Sequence, residues 1–413
     1  MSLLSVNDAQ TRILSMFETV EATTLPLAQA SGRVLSADIR ATTALPPFDN
    51  SSMDGFAVRA ADLRGTQANS PCLLDVVADI PAGADVASIQ IKAGQAARIM
   101  TGARLPQGAD TVVPVEQTDF TERSPGVPAP KQVAVYQALA AGSYVRLRGE
   151  DLSQDQVVLK KGQHLRPQDL GLLAMLGIAI VPVFRQPRVA LLSSGDELIP
   201  VEAILEAGKV RDANSYTLTA LIEAAGAEVL HLGIAADRQD DVQARLEHAV
   251  AEKVDLIISS AGVSVGAFDF VKDVVESQGE LTFWRVNMRP GKPLAFGSYR
   301  NIPFFGLPGN PVSAFVSFEV FVRPALEKFS GQAFHPRQRI RVQLTEPIES
   351  DGRESYLRAV VSEEDGILTA HLTGHQGSGN LLSLVQANAL LIVPAGVKSL
   401  ATGAVIDAWM LTQ

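Results

Sequence analysis

A single cysteine in 413 residues, Cys72, removes two protein classes at the outset. One thiol closes no intrachain disulfide and builds no CxxC zinc or redox site. Long apolar runs are missing too, since no segment approaches the ~20 apolar residues of a membrane span. The start, Met1-Ser-Leu-Leu-Ser-Val-Asn-Asp8, has neither the basic stretch nor the apolar run of a secretory signal. A soluble, cytoplasmic protein without membrane partners is expected. Positive charge is in deficit, with 35 Lys+Arg against 45 Asp+Glu and a net charge of −10. That balance disfavours nucleic acid and anionic lipid as partners. GxxxxGK followed by Ser or Thr, GxGxxG and HExxH are all absent, which removes the common nucleotide loops and the zincin helix. The six histidines (164, 231, 248, 335, 371, 375) show no ligand spacing, and no Ser-His-Asp triad emerges.

What is present describes a core-forming chain. Hydrophobic content of 46% with 19% charge fits a globular protein, and the length suggests roughly two to four domains. Residues 8–23 carry Ile13, Leu14, Met16, Phe17 and Val20 at helical spacing, predicting an amphipathic helix. From Thr42 to Val145 short β-like runs alternate with Pro/Gly turns and helix patterns are missing, which predicts a β-rich insert. Thr121–Lys131, with three prolines, reads as an exposed loop. From Arg188 strands alternate with helices, predicting a mostly parallel sheet covered on both faces. After Pro336 short strands return.

The expected fold class is therefore multidomain α/β plus β. It combines a three-layer α/β domain with a mostly parallel sheet, a β-rich inserted domain, a small linking domain and a C-terminal β-barrel-like domain. The expected boundaries are 1–26 for an N-terminal helix packing with the α/β domain, and 27–45 with 146–178 for the linking domain. The insert spans 46–145, the α/β domain 179–332 and the C-terminal β domain 333–413.

Between Leu281 and Phe318 the acidic chain stops being acidic: Arg285, Arg289, Lys292 and Arg300 occur without one carboxylate. Two Gly/Pro-punctuated elements lie inside, Met288-Arg-Pro-Gly-Lys-Pro293 and Leu307-Pro-Gly-Asn-Pro-Val-Ser313. In the second, Asn310 suits a helix N-cap and Pro311 the first helical position. An ordinary capped helix would use the same residues, and lysines and arginines are usually plain surface charges. Local positive charge beside a helix start nevertheless favours a small anion, because free N–H groups and the helix dipole point at the ligand. Asp196, Glu197, Asp237 and Asp269 fall at or just after strand ends, where parallel sheets bind ligands. They suit a hard cation shared with phosphate, although Asp237 could equally cap the helix expected near Gln239.

Further motifs are Pro46-Pro-Phe-Asp-Asn-Ser-Ser-Met-Asp-Gly-Phe-Ala-Val-Arg59 and Met100-Thr-Gly-Ala-Arg-Leu-Pro-Gln-Gly-Ala-Asp-Thr-Val-Val-Pro-Val-Glu116. With RLRGEDL, SSGDELIP, SSAGVSVGAFDF, MRPGKPLAFG and LPGNPVSAFVSF they follow one another over nearly the whole chain. In this order they resemble the molybdopterin molybdenumtransferase family, the molybdenum-insertion enzymes that include the gephyrin E domain. The resemblance implies an elongated homodimer that places molybdenum on adenylylated molybdopterin and releases AMP, using Mg²⁺. It implies catalytic roles for Asp54, Thr101, Asp151, Glu197, Asp237 and Asp269, with the last three also holding the metal. Substrate contacts are implied for Ser264, Gly266, Arg289, Lys292, Pro308, Gly309, Asn310, Pro311, Ser313, Arg353 and Ser378. Arg289 stands where the family often has lysine, which keeps charge but changes oxyanion geometry. Partners implied are a second copy of the chain, the molybdopterin adenylyltransferase and cofactor-receiving enzymes. The rival readings are the preceding adenylylation step and a scaffold that has lost its chemistry.

Overall fold

The computed structural model describes residues 3–122, 126–260, 270–332 and 337–411, without the side chains of Phe283 and Trp284. The expected Ser259–Asp269 loop lies from 261 onward outside the described residues, as does part of Thr121–Lys131. Chain contacts divide the molecule into two compact units. One joins Met1–Ala37, Lys161–Leu170 and Ile180–Gln413, and the other joins Asp38–Lys160 with Gly171–Ala179.

The larger unit opens on the helix Val6–Ser15, where the Ser5 hydroxyl accepts from the Asp8 N–H at 3.1 Å and Val6, Ala9 and Ile13 face inward. Here one expectation fails, for the helix predicted over 8–23 stops at Ser15. Phe17 and Val20 still reach the core, but the Val20 N–H donates to the Phe329 carbonyl at 2.9 Å. Ala22–Pro26, with Thr23 and Thr24, then runs antiparallel to Ile180–Phe184. Strand partners and β-branched residues thus override an apolar spacing that alone reads as helical.

Six strands form the central sheet of this unit in the order Glu228–Ala235, Arg188–Ser194, Leu256–Ser260, Ile302–Leu307, Pro293–Tyr299, Gly279–Arg285. The first four are mutually parallel, and the last two turn back antiparallel in succession. Such strands read as continuous apolar runs because both faces are covered. Val189, Leu191, Ile258 and Phe305 pack beneath the N-terminal helix, the helix Asn214–Ala224 and the helical run from Pro311 to Phe329. Ala190, Leu192, Ile257 and Phe304 face the opposite way, against the helices Gln239–Ala251 and Phe270–Gln278. The result is three layers. Phe17 sits in an aromatic cluster, 6.1 Å from Phe305 and 6.2 Å from Phe296 between ring centroids. Truncating such a buried ring to alanine costs about 3–5 kcal/mol.

At the C-terminal end a second sheet closes on itself. Its order is Glu354–Glu364, Ile367–Leu372, Arg339–Leu344, Val405–Met410, Ala389–Val393, and the last strand pairs again with the first. Val342, Leu357, Ala359, Leu391 and Ala408 fill it. This is the β-barrel expected from the short strands after Pro336.

In the smaller unit a five-stranded sheet runs in the order Thr111–Pro114, Gly55–Val58, Gln95–Ile99, Cys72–Ile80, Gln132–Val135. Separate apolar clusters, around Phe56 and Leu74 and around Ile80 and Ile99, are built on it. Gly55 is needed for close strand approach, since a Cβ there would lie 1.9 Å from the Val113 carbonyl oxygen.

Candidate functional site

The carboxyl ends of the parallel strands carry the first part of the site. Strand Arg188–Ser194 ends in Gly195, whose φ of 145° favours glycine. Glu197 uses that space: its Oε2 lies 2.5 Å from where a Gly195 Cβ would stand. Asp196 and Asp237 tie two strand ends together. Asp196 Oδ1 accepts from the Asp237 N–H at 3.0 Å, and Asp237 Oδ2 accepts from the Asp196 N–H at 3.3 Å. The Ser194 hydroxyl donates to Asp237 Oδ1 at 3.4 Å. Asp237 therefore does not cap the helix Gln239–Ala251, whose N-cap is Arg238 without a side-chain bond.

A cavity of about 650 Å³ opens beside these residues, bounded by Glu197, Ser260, Pro308, Asn310, Pro311 and Gly379. Asn310 takes the N-cap position and Pro311 the first helical position, as the motif predicts, but the Asn310 side chain makes no capping bond. Ser313 is buried one turn in. The Val312 N–H is taken by the carbonyl of Ser378 at 3.0 Å, so a barrel loop docks on the helix start. That contact brings Gly309, Asn310 and Pro311 together with Ser378.

The neighbouring cations take different partners. The short strand Met288–Arg289 pairs with the first residues of the barrel strand Glu354–Glu364, Met288 opposite Glu354 and Arg289 opposite Ser355. Arg353 donates to the Met288 carbonyl at 3.1 Å and, through Nε, to Asp351 at 3.0 Å. That bond, with Arg289 adding to it, holds the Asp351 carboxyl below its ordinary range. Arg353 is thus already neutralised. Lys292 is exposed, and the Arg300 guanidinium pairs with Glu247 at 2.8 Å.

Arg358, which the sequence pattern did not single out, is the largest fully buried side chain among the described residues. Its Nε donates to Ser383 Oγ at 3.0 Å and its Nη2 to the Gly377 carbonyl at 3.0 Å, while Nη1 has no partner. Among the described residues it has no carboxylate. Burial, and then repulsion from Arg289, pushes its pKa down to about 10. Arg358, repelled by Arg289 and bonded to the loop at Gly377, is a guanidinium that a nearby anion stabilises. The one local signal was an arginine inside the otherwise apolar run Tyr356–Val361.

In the smaller unit, Asp54 Oδ1 accepts from both the N–H and the hydroxyl of Thr101, at 2.7 and 2.8 Å. This pair lines a separate cavity of about 470 Å³ with Phe56, Arg98 and Phe120. Asp151 forms an ion pair with Arg146. Of the remaining predicted residues, Ser264, Gly266 and Asp269 lie outside the described residues. Among the described residues no group of three or more His, Cys, Asp or Glu is placed to hold a metal ion.

Comparison with known proteins covers the whole chain. Residues 4–177 match the profile described as MoeA N-terminal region (domain I and II), 190–328 that of a probable molybdopterin binding domain, and 341–411 that of MoeA C-terminal region (domain IV). A Mycobacterium tuberculosis protein named molybdopterin molybdenumtransferase 2 is 39% identical over 99% of this chain and 100% of its own length. The molybdopterin molybdenumtransferase of a Nostoc species is 37% identical over 91% of this chain and 85% of its own. A crystal structure of the molybdopterin biosynthesis moeA protein from Pyrococcus horikoshii OT3 superposes with a TM-score of 0.81 at 30% identity, covering 99% of this chain and 100% of that one.

Proposed function

This chain belongs to the molybdopterin molybdenumtransferase family, and on that premise we propose that it takes adenylylated molybdopterin and molybdate, places molybdenum on the dithiolene sulfurs and releases AMP. It is a transferase of molybdenum cofactor biosynthesis. The observation that carries this reading is Arg358, buried with no carboxylate partner among the described residues and burdened by the charge of Arg289. A tetrahedral dianion at Arg289 offsets the positive charge that burdens Arg358, and Arg supplies it with donors in a planar fork. Lys292 adds a solvent-side point charge, while Ser313 and Ser378 bring polar atoms from the two elements that meet at the helix start. Arg353, neutralised by Asp351, acts as a brace on the Met288–Arg289 strand.

Molybdopterin and its phosphate occupy the cavity bounded by Pro308–Pro311 and Glu197. When a molybdate oxygen attacks the adenylyl phosphorus, the bond to the molybdopterin phosphate breaks and AMP then departs from molybdenum with that oxygen as the two dithiolene sulfurs bind. When water attacks, AMP leaves directly and the two thiols displace a molybdate oxygen as water. No protein nucleophile is required, in keeping with a chain that offers no Cys or His constellation. Mg²⁺ is commonly held by one or two carboxylates together with substrate phosphates. Glu197, on the cavity wall, fits that mode, with Asp237 at the neighbouring strand end and Asp269 as the other candidates. When bound, the ion supplies charge that neutralises the phosphate oxygens as they develop charge. The smaller unit contributes Asp54, oriented by Thr101, and Asp151, and the working form is a homodimer.

The test is incubation of the purified protein with adenylylated molybdopterin, following AMP by chromatography with and without molybdate and with EDTA. Molybdate-dependent AMP release is expected, lost on chelation. AMP formation absent under all conditions, with ATP instead consumed on free molybdopterin, would assign the preceding adenylylation step.

A further inference from the structure

We infer that Asn214 is a positioning residue for this reaction, holding the Pro308–Pro311 loop against the end of the central strand Leu256–Ser260. The inference rests on the function proposed above. Asn214 is the first residue of the helix Asn214–Ala224, is buried, and lines the 650 Å³ cavity. A polar residue at a helix start normally spends its side chain on its own helix. Here that role is taken by Asp212, whose Oδ1 accepts from the Ser215 N–H at 3.1 Å. The Asn214 amide is thereby released for other work. Its Nδ2 donates to Ser260 Oγ at 2.8 Å and to the Gly309 carbonyl at 2.7 Å. These acceptors lie 46 and 95 residues away, on two different strand ends.

Both N–H groups of the amide are spent, and a carbonyl can only accept, so the orientation of the amide is determined. Two consequences reach the cavity. The Gly309 carbonyl is held toward Asn214, and in a planar trans peptide the N–H of Asn310 must then face the other way. The loop that bounds the proposed molybdopterin pocket is thus set by one side chain. Ser260 accepts from Asn214, which leaves its own proton to be donated elsewhere from a wall of the same cavity. Asn214 does this without supplying any charge of its own, so its contribution is geometric, and displacing a bound group by about 1 Å costs on the order of 10² in rate.

The test compares Asn214→Asp and Asn214→Ala with the parent as full-length proteins. Aspartate has the same shape but, when ionised, no donor and a charge facing the Gly309 carbonyl. At neutral pH kcat for AMP release should fall by on the order of 10² in both variants, with KM for adenylylated molybdopterin changed less than about threefold. Lowering the pH protonates the introduced carboxylate and returns one O–H donor, so Asn214→Asp should recover activity relative to parent while Asn214→Ala does not. Glu197, Arg211 and Asp212 line the same cavity and are common to all three proteins, so the difference in profile isolates position 214. Thermal melting reports folding separately. Unchanged kcat, or a lower melting temperature with parent kcat per folded molecule, overturns the inference. So do identical pH profiles for parent and Asn214→Asp. Failure of the parent itself to release AMP overturns the proposed function instead, and hydrogen exchange of the Gly309 and Asn310 amides then reads the loop geometry alone: parent-like protection in both variants counts against Asn214, and faster exchange supports it.

Discussion

Arg358 shows how far one side chain can depart from its ordinary role. An arginine with no exposure and no carboxylate partner among the described residues is pushed down to a pKa of about 10, below its ordinary value, by burial and then by Arg289. The sign follows directly. A base whose folded pKa is lowered destabilises the fold in its charged form at every pH below about 10, and the penalty fades as pH rises from there toward the ordinary arginine value. An anion bound beside it removes that penalty at neutral pH. Molybdate should therefore raise the melting temperature, by about 2.7 kcal/mol of stabilisation at a hundred times Kd. Arg358→Met should abolish the shift, and equal shifts in both proteins would move the anion site elsewhere. A second residue-scale test concerns Gly195. An alanine Cβ would displace the Glu197 carboxylate and strain a backbone with φ of 145°. Activity should fall on the order of 10², with a stability cost on the order of 1–3 kcal/mol. Parent kinetics in Gly195→Ala would show that the placement of Glu197 is immaterial.

At the scale of elements, the acid-free stretch between Leu281 and Phe318 behaves as three pieces. Arg300 is neutralised by Glu247 from the helix Gln239–Ala251, a carboxylate 53 residues upstream of it that no local reading could pair with it. Arg285 is exposed at a strand end. Arg289 alone is carried to the barrel by strand pairing, and Lys292 remains exposed in the following turn. Lys292→Ala should raise the molybdate concentration for half-maximal AMP release about ten- to a hundredfold, the value of one charge-assisted contact of roughly 1.5–3 kcal/mol. Stability should change by less than about 0.5 kcal/mol, so excess molybdate should rescue it. Early melting with normal molybdate dependence would make Lys292 structural. The helix start at Asn310 and Pro311 was legible because capping grammar is local, whereas the docking of Ser378 on Val312 was not.

For the whole molecule, the proposal of a homodimer has a direct consequence. Asp54 and Glu197 belong to different compact units, and the resemblance assigns both to one reaction served by two subunits. Mixing Asp54→Ala subunits with Glu197→Ala subunits should restore part of the activity, through one site per heterodimer with both residues intact. No recovery in verified heterodimers would place both residues in the same subunit's reaction. The layered α/β sheet and the closed barrel were legible from strand and helix periodicity, because each element must bury one face or both. The extent of the first helix was not, because the Val20 backbone found its partner in Phe329, more than 300 residues away.

By itself, then, the sequence determined the classes of element, their order, the helix start at Pro311 and the excluded chemistries, since all of these follow from neighbours along the chain. Tertiary structure decided which charges are cancelled and which are not. Arg300, Arg353 and Arg146 found carboxylates, and Arg358 found carbonyls and a hydroxyl. It also decided that Asn214 would bridge two strand ends rather than cap its own helix. The physical reason is common to both: the cost of a buried polar group depends on what surrounds it in space, and those surroundings come from residues far apart in the chain.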